Sequence, residues 1–277
     1  MIRSVTYNLG CGGPHGADCR EAADSWIDTA TGAHDLIFAQ EIPAGDDWTE
    51  HWEKAGFRVV LGPAKGWRTR SALIVRSKAV RGVESVEYPT AEYHGTYLAA
   101  AALDLGWVEP FVVVSVHASP QRVSDDWARS WITCGRELPV GRPSCGLWDA
   151  DLVLATIAEL CTRHRFVIAA GDWNEARGWD LTHHGHSGRE FFERVEDAGL
   201  VDVTYEQWGR TERSTRDGLQ LDRVFATRAV AERIRDAAVT AVEIVSASDH
   251  HPVEFTIDAT IGTRFAPDSE PDDGSNR

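Results

Sequence analysis

Residues Phe166–Ala176 read FVIAAGDWNEA. An apolar run with the character of a buried strand stops at a glycine, and Asp172, Trp173, Asn174 and Glu175 follow. A core strand that ends this way aims an acid and an amide at whatever lies beyond it. Three other segments end alike: Ile2–Asn8 (IRSVTYN), Asp35–Glu41 (DLIFAQE) and Phe111–His117 (FVVVSVH). Each pair of strands brackets a helical pattern, one near Arg20–Thr29 and one over Trp148–His164, where Leu152, Val153, Thr156, Ile157, Leu160 and Cys161 follow the 3.6-residue period. In parallel α/β sheets ligands collect beyond the carboxyl ends of the strands. Two such halves facing each other would bring Asn8, Glu41, His117 and Asp172 to one cleft.

Further strand-like runs are Phe57–Leu61, Ala72–Arg76, Tyr97–Leu103, Leu219–Ala226, Val239–Ile244 and Val253–Ile257. Several are short and wholly apolar, as expected for sheets covered on both faces. Ser187-Gly188-Arg189-Glu190 has the form of a capping box opening a helix over Arg189–Ala198, which Gly199 ends. Pro120–Leu147 has the character of an insertion, and its Trp127 and Trp131, with Trp148 just after, are expected to pack onto the body. We expect one domain over residues 1–258 and a disordered polar tail over 259–277.

The 277 residues carry 28 basic and 43 acidic side chains, a net charge of −15. An acidic field repels phosphate backbones and attracts divalent cations, which argues against tight, passive nucleic-acid binding. No stretch approaches the ~18 unbroken apolar residues of a membrane span, and the N-terminus lacks the pattern of a signal peptide. We expect a soluble, cytoplasmic monomer without stable membrane insertion. Five scattered cysteines suit free thiols. Cys11-x3-His15-x3-Cys19 lacks the second half of a zinc site, and His183, His184 and His186 read as a polar loop.

The chemistry-bearing residues cluster at strand ends. SASDHHPVEF sets Asp249, His250 and His251 before the last strand. In LQLDRVFA, alternation puts Asp222 on the face opposite Leu221, Arg223 and Phe225. Oxygen donors with open positions suit a hard divalent cation, and histidines steered by carboxylates can move protons at neutral pH. That equipment suits metal-assisted phosphoester hydrolysis. No G-x-S-x-G elbow or cysteine beside a phosphate-cradling Arg loop points to a covalent route. A dinucleotide-binding reading fails because His15 occupies the third glycine position of NLGCGGPHG.

YNL (Tyr7–Leu9), QE (Gln40-Glu41), VHAS (Val116–Ser119), GDWN (Gly171–Asn174), LDRVF (Leu221–Phe225) and SDHHPV (Ser248–Val253) occur in this order. Together they resemble the endonuclease/exonuclease/phosphatase superfamily, which contains DNase I-like nucleases, AP endonucleases, sphingomyelinases and inositol phosphatases. The resemblance implies an α/β four-layer sandwich of two mixed β-sheets flanked by helices, with Mg²⁺ or Mn²⁺ in a cleft. It implies Glu41 as the principal metal ligand, helped by Asn8, with Asp249 beside the metal. Asp222 would orient His250 as base or phosphate contact, and Asp172 and Asn174 would position the attacking water and the transition-state oxygens. His117 would protonate the leaving oxygen, which points to the histidine-type branch rather than AP endonucleases. Many relatives carry Gly-Asn where Arg70-Ser71 stands here, so Arg70 is the candidate replacement for that phosphate contact. Arg210, Arg213 and Arg216 form one basic loop, and Lys65, Arg68 and Arg70 another, as candidate substrate contacts. The expected activity is a phosphodiesterase acting as an endonuclease on DNA or RNA. The alternatives are a small-molecule or lipid phosphoester hydrolase of sphingomyelinase type and, further off, an inactive binding scaffold.

Overall fold

The structure is a computed structural model that describes residues 1–10, 18–43, 47–63, 69–88, 97–185, 187–240 and 248–260. Its strands are β1 (Ile2–Asn8), β2 (Leu36–Pro43), β3 (Phe57–Leu61), β4 (Thr69–Arg76), β5 (Gly82–Ser85), β6 (Tyr97–Asp104), β7 (Phe111–His117), β8 (Phe166–Asp172), β9 (Leu200–Asp202), β10 (Asp222–Thr227), β11 (Ile234–Val239) and β12 (Val253–Ile257). Its helices are α1 (Asp18–Ala33), α2 (Asp47–Lys54), α3 (Asp125–Thr133), α4 (Asp149–Arg163), α5 (Leu181–His184), α6 (Gly188–Asp197), α7 (Val203–Gln207) and α8 (Arg228–Ala231).

The strands form two six-stranded sheets, ordered β11-β12-β1-β2-β4-β3 and β5-β6-β7-β8-β10-β9. Both are mixed. The parallel pairs are β1–β2 and β7–β8, each joined through a long helix, α1 or α4, because a parallel neighbour needs a crossover. The sheets stack face to face over Ile2, Leu36, Phe38, Phe111, Val113, Phe166, Ile168, Val224 and Phe255. Outside the first sheet, Trp26 and Ala30 of α1 and Trp52 of α2 cover Val5, Tyr7, Ile37 and Ala39. Outside the second, Val153 and Ile157 of α4 and Phe191 and Val195 of α6 cover Val112, Val114, Val167 and Ala169. The result is a four-layer α/β sandwich.

The period of two along each strand sets what faces inward. On β1 the inward row runs Ile2, Ser4, Thr6, Asn8; on β7 it runs Phe111, Val113, Ser115, His117; on β8 it runs Phe166, Ile168, Ala170, Asp172. The interface between the sheets therefore turns from apolar to polar along the strands. Midway, the Gln40 amide donates to Ser115 Oγ at 2.9 Å and to Thr6 Oγ1 at 3.2 Å, a bridge that satisfies these buried groups across the two sheets. Gly171 lets β8 lie this close to β7, since a β-carbon there would stand 1.9 Å from the Val116 carbonyl oxygen. That is why the apolar run ends in glycine before Asp172.

Element boundaries differ from the sequence expectation where turns intervene. β10 starts at Asp222 rather than Leu219, because Arg216 to Leu219 makes a tight turn. β11 precedes the expected Val239–Ile244, most of which lies outside the described residues. The 120–147 segment contributes α3, whose buried Trp131, with the partly buried Trp127, packs on Leu152 and Ala155 of α4. Gly199 ends the α6 segment with φ 74°, and Ser187 Oγ accepts from the Glu190 backbone N–H. The Glu190 carboxylate instead takes Ser144, so only half the expected capping box forms. No helix among the described residues is long and apolar enough to cross a membrane. Cys11, His15 and most of the expected tail lie outside the described residues.

Candidate active site

Register brings the polar strand ends together. His117 on β7 stands beside Asp172 on β8, and Asp172 stands opposite Asp222 on β10. These three make a row across the second sheet. From the first sheet, Asn8 reaches over and its side-chain amide donates to Asp172 Oδ2 at 3.0 Å and to Glu41 Oε1 at 3.1 Å. His117 Nε2 lies 3.4 Å from Glu41 Oε1 and 3.9 Å from Asp172 Oδ2. Asp172 thus joins the two sheets at their polar end.

Two local distortions aim the remaining groups. Between Ala39 and Ile42 the β2–β4 register slips, so Gln40 and Glu41 both stand across from Ser71 in a bulge, and Glu41 takes φ 50°. Bulges re-aim side chains at sheet ends in this way. Asn174 takes φ 46°, a region amides tolerate, and its backbone N–H donates to Asp172 Oδ1 at 2.9 Å. Its side-chain amide donates to Asp172 Oδ2 at 3.0 Å and to the Ala118 carbonyl at 2.8 Å. Trp173, between them, points the other way and packs 4.6 Å from the Phe225 ring.

His250 enters from the loop before β12. Ser248 Oγ donates to the Asn8 carbonyl at 2.5 Å and accepts from the His250 backbone N–H, which pins this loop to β1. The ring is buried, with Nδ1 2.7 Å from Asp222 Oδ2 and Nε2 3.7 Å from Asp172 Oδ2. Burial works against a charge on this ring. The Asp222 and Asp172 carboxylates, the Asp222 hydrogen bond and Asp249 outweigh it, and the pKa is pushed up to about 9. Asp222, Asp172 and His250 offer ligand atoms within 4.8 Å of one another.

The other expected residues divide. Asp249 is half exposed, 3.8 Å from His250 Nε2, and its carboxylate is held at 2.6 Å by Arg216. Arg216 itself approaches His250 Nε2 to 3.3 Å. Arg213 and Arg210 are directed elsewhere: Arg213 lies over the Trp208 ring and Arg210 pairs with Glu206. Loop arginines one turn apart leave in different directions, so the sequence cluster is not a spatial one. Arg70 is buried in β4 opposite Ile42, one step from the Glu41 bulge. Lys65, Arg68 and His186 lie outside the described residues, and His184 stacks on Trp179.

Sequence reasoning missed two supporting residues. Thr215 is buried and its Oγ1 accepts from the backbone N–H groups of Leu221 and Asp222, at 2.9 and 3.1 Å. Arg142, from the 120–147 segment, is buried against Asp151 and Glu175. Neither sits in a periodic pattern; the only hint was STRDG, a turn sequence immediately ahead of a candidate catalytic strand.

Residues 5–250 match the family described as Endonuclease/Exonuclease/phosphatase family. The chain belongs to the endonuclease/exonuclease/phosphatase family. As a member of the endonuclease/exonuclease/phosphatase family it is a phosphoester hydrolase, and the ordered motifs and the four-layer fold agree with that. No curated protein matches the sequence. Among solved structures, the 3′–5′ exonuclease NExo from Neisseria meningitidis is 18% identical with a TM-score of 0.65, covering 93% of this chain and 100% of that one. An AP endonuclease from Archaeoglobus fulgidus is 17% identical with a TM-score of 0.63, over 93% and 100% of the two chains. The human nocturnin catalytic domain is 12% identical with a TM-score of 0.60, over 93% and 94%. These likenesses establish the fold of the endonuclease/exonuclease/phosphatase family. They include an AP endonuclease, so they do not single out the histidine-type branch.

Proposed function

We propose that the protein is a divalent-metal-dependent phosphodiesterase of the histidine-type branch that attacks phosphorus with an activated water, and that it cuts DNA or RNA internally. One observation carries this reading: Asn8, Glu41, His117, Asp172, Asn174, Asp222 and His250 come from six separate segments and converge on Asp172. Buried acids and amides rarely gather for stability alone, because each must be desolvated and paired.

The donor set suits a hard cation. Glu41 offers a partly exposed carboxylate and Asn8 an amide oxygen, while Asp222 Oδ1 is buried without a hydrogen-bond partner. Mg²⁺ or Mn²⁺ held by Glu41 and Asn8, with Asp249 beside it, would supply Lewis-acid polarisation of the phosphoryl oxygen. The chain's own residues then do the following. Asp172, immobilised by Asn8 and Asn174, orients the attacking water. Asp222 orients His250, whose ring carries its proton at neutral pH and contacts a non-bridging oxygen. Asn174, whose amide hydrogens go to Asp172 and Ala118, holds Asp172 in position for the water, and His117 protonates the leaving oxygen. A DNA-bound relative supports a nucleic-acid substrate: the Neisseria 3′ phosphatase NExo is bound to a product DNA hairpin.

The test is nicking of supercoiled plasmid with Mg²⁺, Mn²⁺ or EDTA, with wild type beside His250→Ala. Nicking that requires metal and is lost in the variant supports the proposal. The net charge of −15 favours a second reading, a hydrolase of small or lipid phosphoesters. Intact plasmid with cleavage of bis-p-nitrophenyl phosphate by wild type alone would move the conclusion to that reading. Inactivity on both substrates would leave only a binding scaffold.

A further inference from the structure

The segment Ser214–Leu219 carries no role in the mechanism above, yet it is built onto the site with unusual firmness. Asp217 and Gly218 take φ 48° and 81°, the two positive angles of a two-residue hairpin turn, and Arg216 and Leu219 exchange backbone hydrogen bonds of 3.0 and 2.7 Å. Ser214 Oγ accepts from the Gly218 N–H at 2.9 Å. Thr215 then ties the turn to both halves of the histidine–carboxylate pair. Its Oγ1 accepts from the Asp222 N–H, and its carbonyl accepts from the His251 N–H at 2.7 Å. The turn is therefore hydrogen-bonded both to Asp222 and to the residue that follows His250.

That turn presents a single long side chain to the site, Arg216. One guanidinium nitrogen is held by Asp249 at 2.6 Å, and the other lies 3.3 Å from His250 Nε2. The side chain is 37% exposed, so its outer edge faces solvent. A salt bridge to Asp249 needs only one nitrogen of the fork and does not require contact with the histidine. With the ring protonated, the Arg216 fork and His250 Nε2 are both donors that cannot bond each other, and two donors 3.3 Å apart suit one anionic oxygen placed between them.

We propose that Arg216 is a phosphate-binding residue, which with His250 grips a non-bridging oxygen of the scissile phosphate while Asp249 holds its guanidinium in position. This rests on the phosphoester-hydrolase reading and adds a substrate contact to it. Lysine cannot reproduce it, because an ammonium is a point charge and cannot serve Asp249 and the phosphate through a planar fork.

The test uses the full chain with MgCl₂ and titrates inorganic phosphate by calorimetry into wild type, Arg216→Ala, Arg216→Gln and Arg216→Lys. Both neutral variants should bind phosphate at least about tenfold more weakly, with Lys between them and wild type. With bis-p-nitrophenyl phosphate, kcat/KM should fall about 100-fold in Arg216→Ala, the size of one lost transition-state donor, at unchanged thermal midpoint. Equal phosphate affinity in wild type and both neutral variants, or no phosphate binding by wild type, overturns the assignment. Wild type that cleaves no diester with any metal defeats the broader functional reading instead, and the phosphate titration still decides Arg216.

Discussion

The Asp222–His250 pair is where residue-level chemistry has a measurable consequence for stability. The ring is buried and its Nδ1 lies 2.7 Å from the carboxylate, with a pKa pushed up to about 9 against an ordinary 6.5. A raised folded-state pKa means that the native protein binds this proton more tightly than the unfolded chain. The stabilisation is therefore fully present below pH ~6.5 and is lost as pH rises through about 9, amounting to about 3 kcal/mol at ~1.4 kcal/mol per unit. Urea unfolding in EDTA between pH 6 and 10 should show that decline in wild type. Asp222→Asn should flatten it, whatever its absolute stability. Parallel slopes in the two proteins would show that Asp222 does not hold the proton. Glu41 and Asn174 belong to the same scale: each stands at positive φ, a strain that flanking structure must hold and that concentrates at functional sites.

At the scale of elements, the 120–147 segment is bound to α4 by Trp131 and to the loop after β8 by charge. Arg142 is 2% exposed; its Nε donates to both Asp151 oxygens at 3.1 Å and a terminal nitrogen to Glu175 Oε1 at 2.5 Å. Glu175 directly follows Asn174, so this ion pair backs the turn that aims Asp172. Arg142→Ala would strand two buried carboxylates, and removing one partner of a buried pair costs about 3–5 kcal/mol. We expect a loss of that size in urea unfolding, together with a lower kcat on bis-p-nitrophenyl phosphate; a change below about 1 kcal/mol would mean that water reaches the pair. The packing of Trp131 was legible, but the Arg142 ion pairs were not, because a lone arginine in an aperiodic segment has no pattern to announce its partners. The strand ends were legible for the opposite reason. Asn8, His117 and Asp172 each close a strand whose alternation dictates which way they face. Arg216 lies between: the Asp-Gly turn could be read, but which of three nearby arginines it would carry inward could not.

Over the whole molecule, the paired βαβ order suggested two halves that converge on one cleft, and the two-sheet sandwich itself was implied by the ordered motifs' resemblance to the family; the parallel pairs β1–β2 and β7–β8 are the centres of those halves. Edge strands such as β5 and β9 escaped notice because three or four residues carry no period, and they depend on their neighbours to form. Charge acts at this scale too. With −15 spread over the chain and Arg210 and Arg213 directed to Glu206 and Trp208, Arg216 is the member of that loop cluster that reaches the site. A protein that neutralises six to ten phosphates loses ~10³–10⁵ in affinity between 50 and 200 mM salt. One or two contacts should give a rise in KM of only ~3- to 12-fold over the same range, at ~0.9 per contact on the logarithmic scale. Plasmid nicking across that salt series, with bis-p-nitrophenyl phosphate as an uncharged-tail control that should barely respond, measures the slope. A shallow slope means that the enzyme meets nucleic acid mainly at the scissile phosphate and leaves it quickly after cleavage. A loss of a thousandfold would require contacts to six or more phosphates.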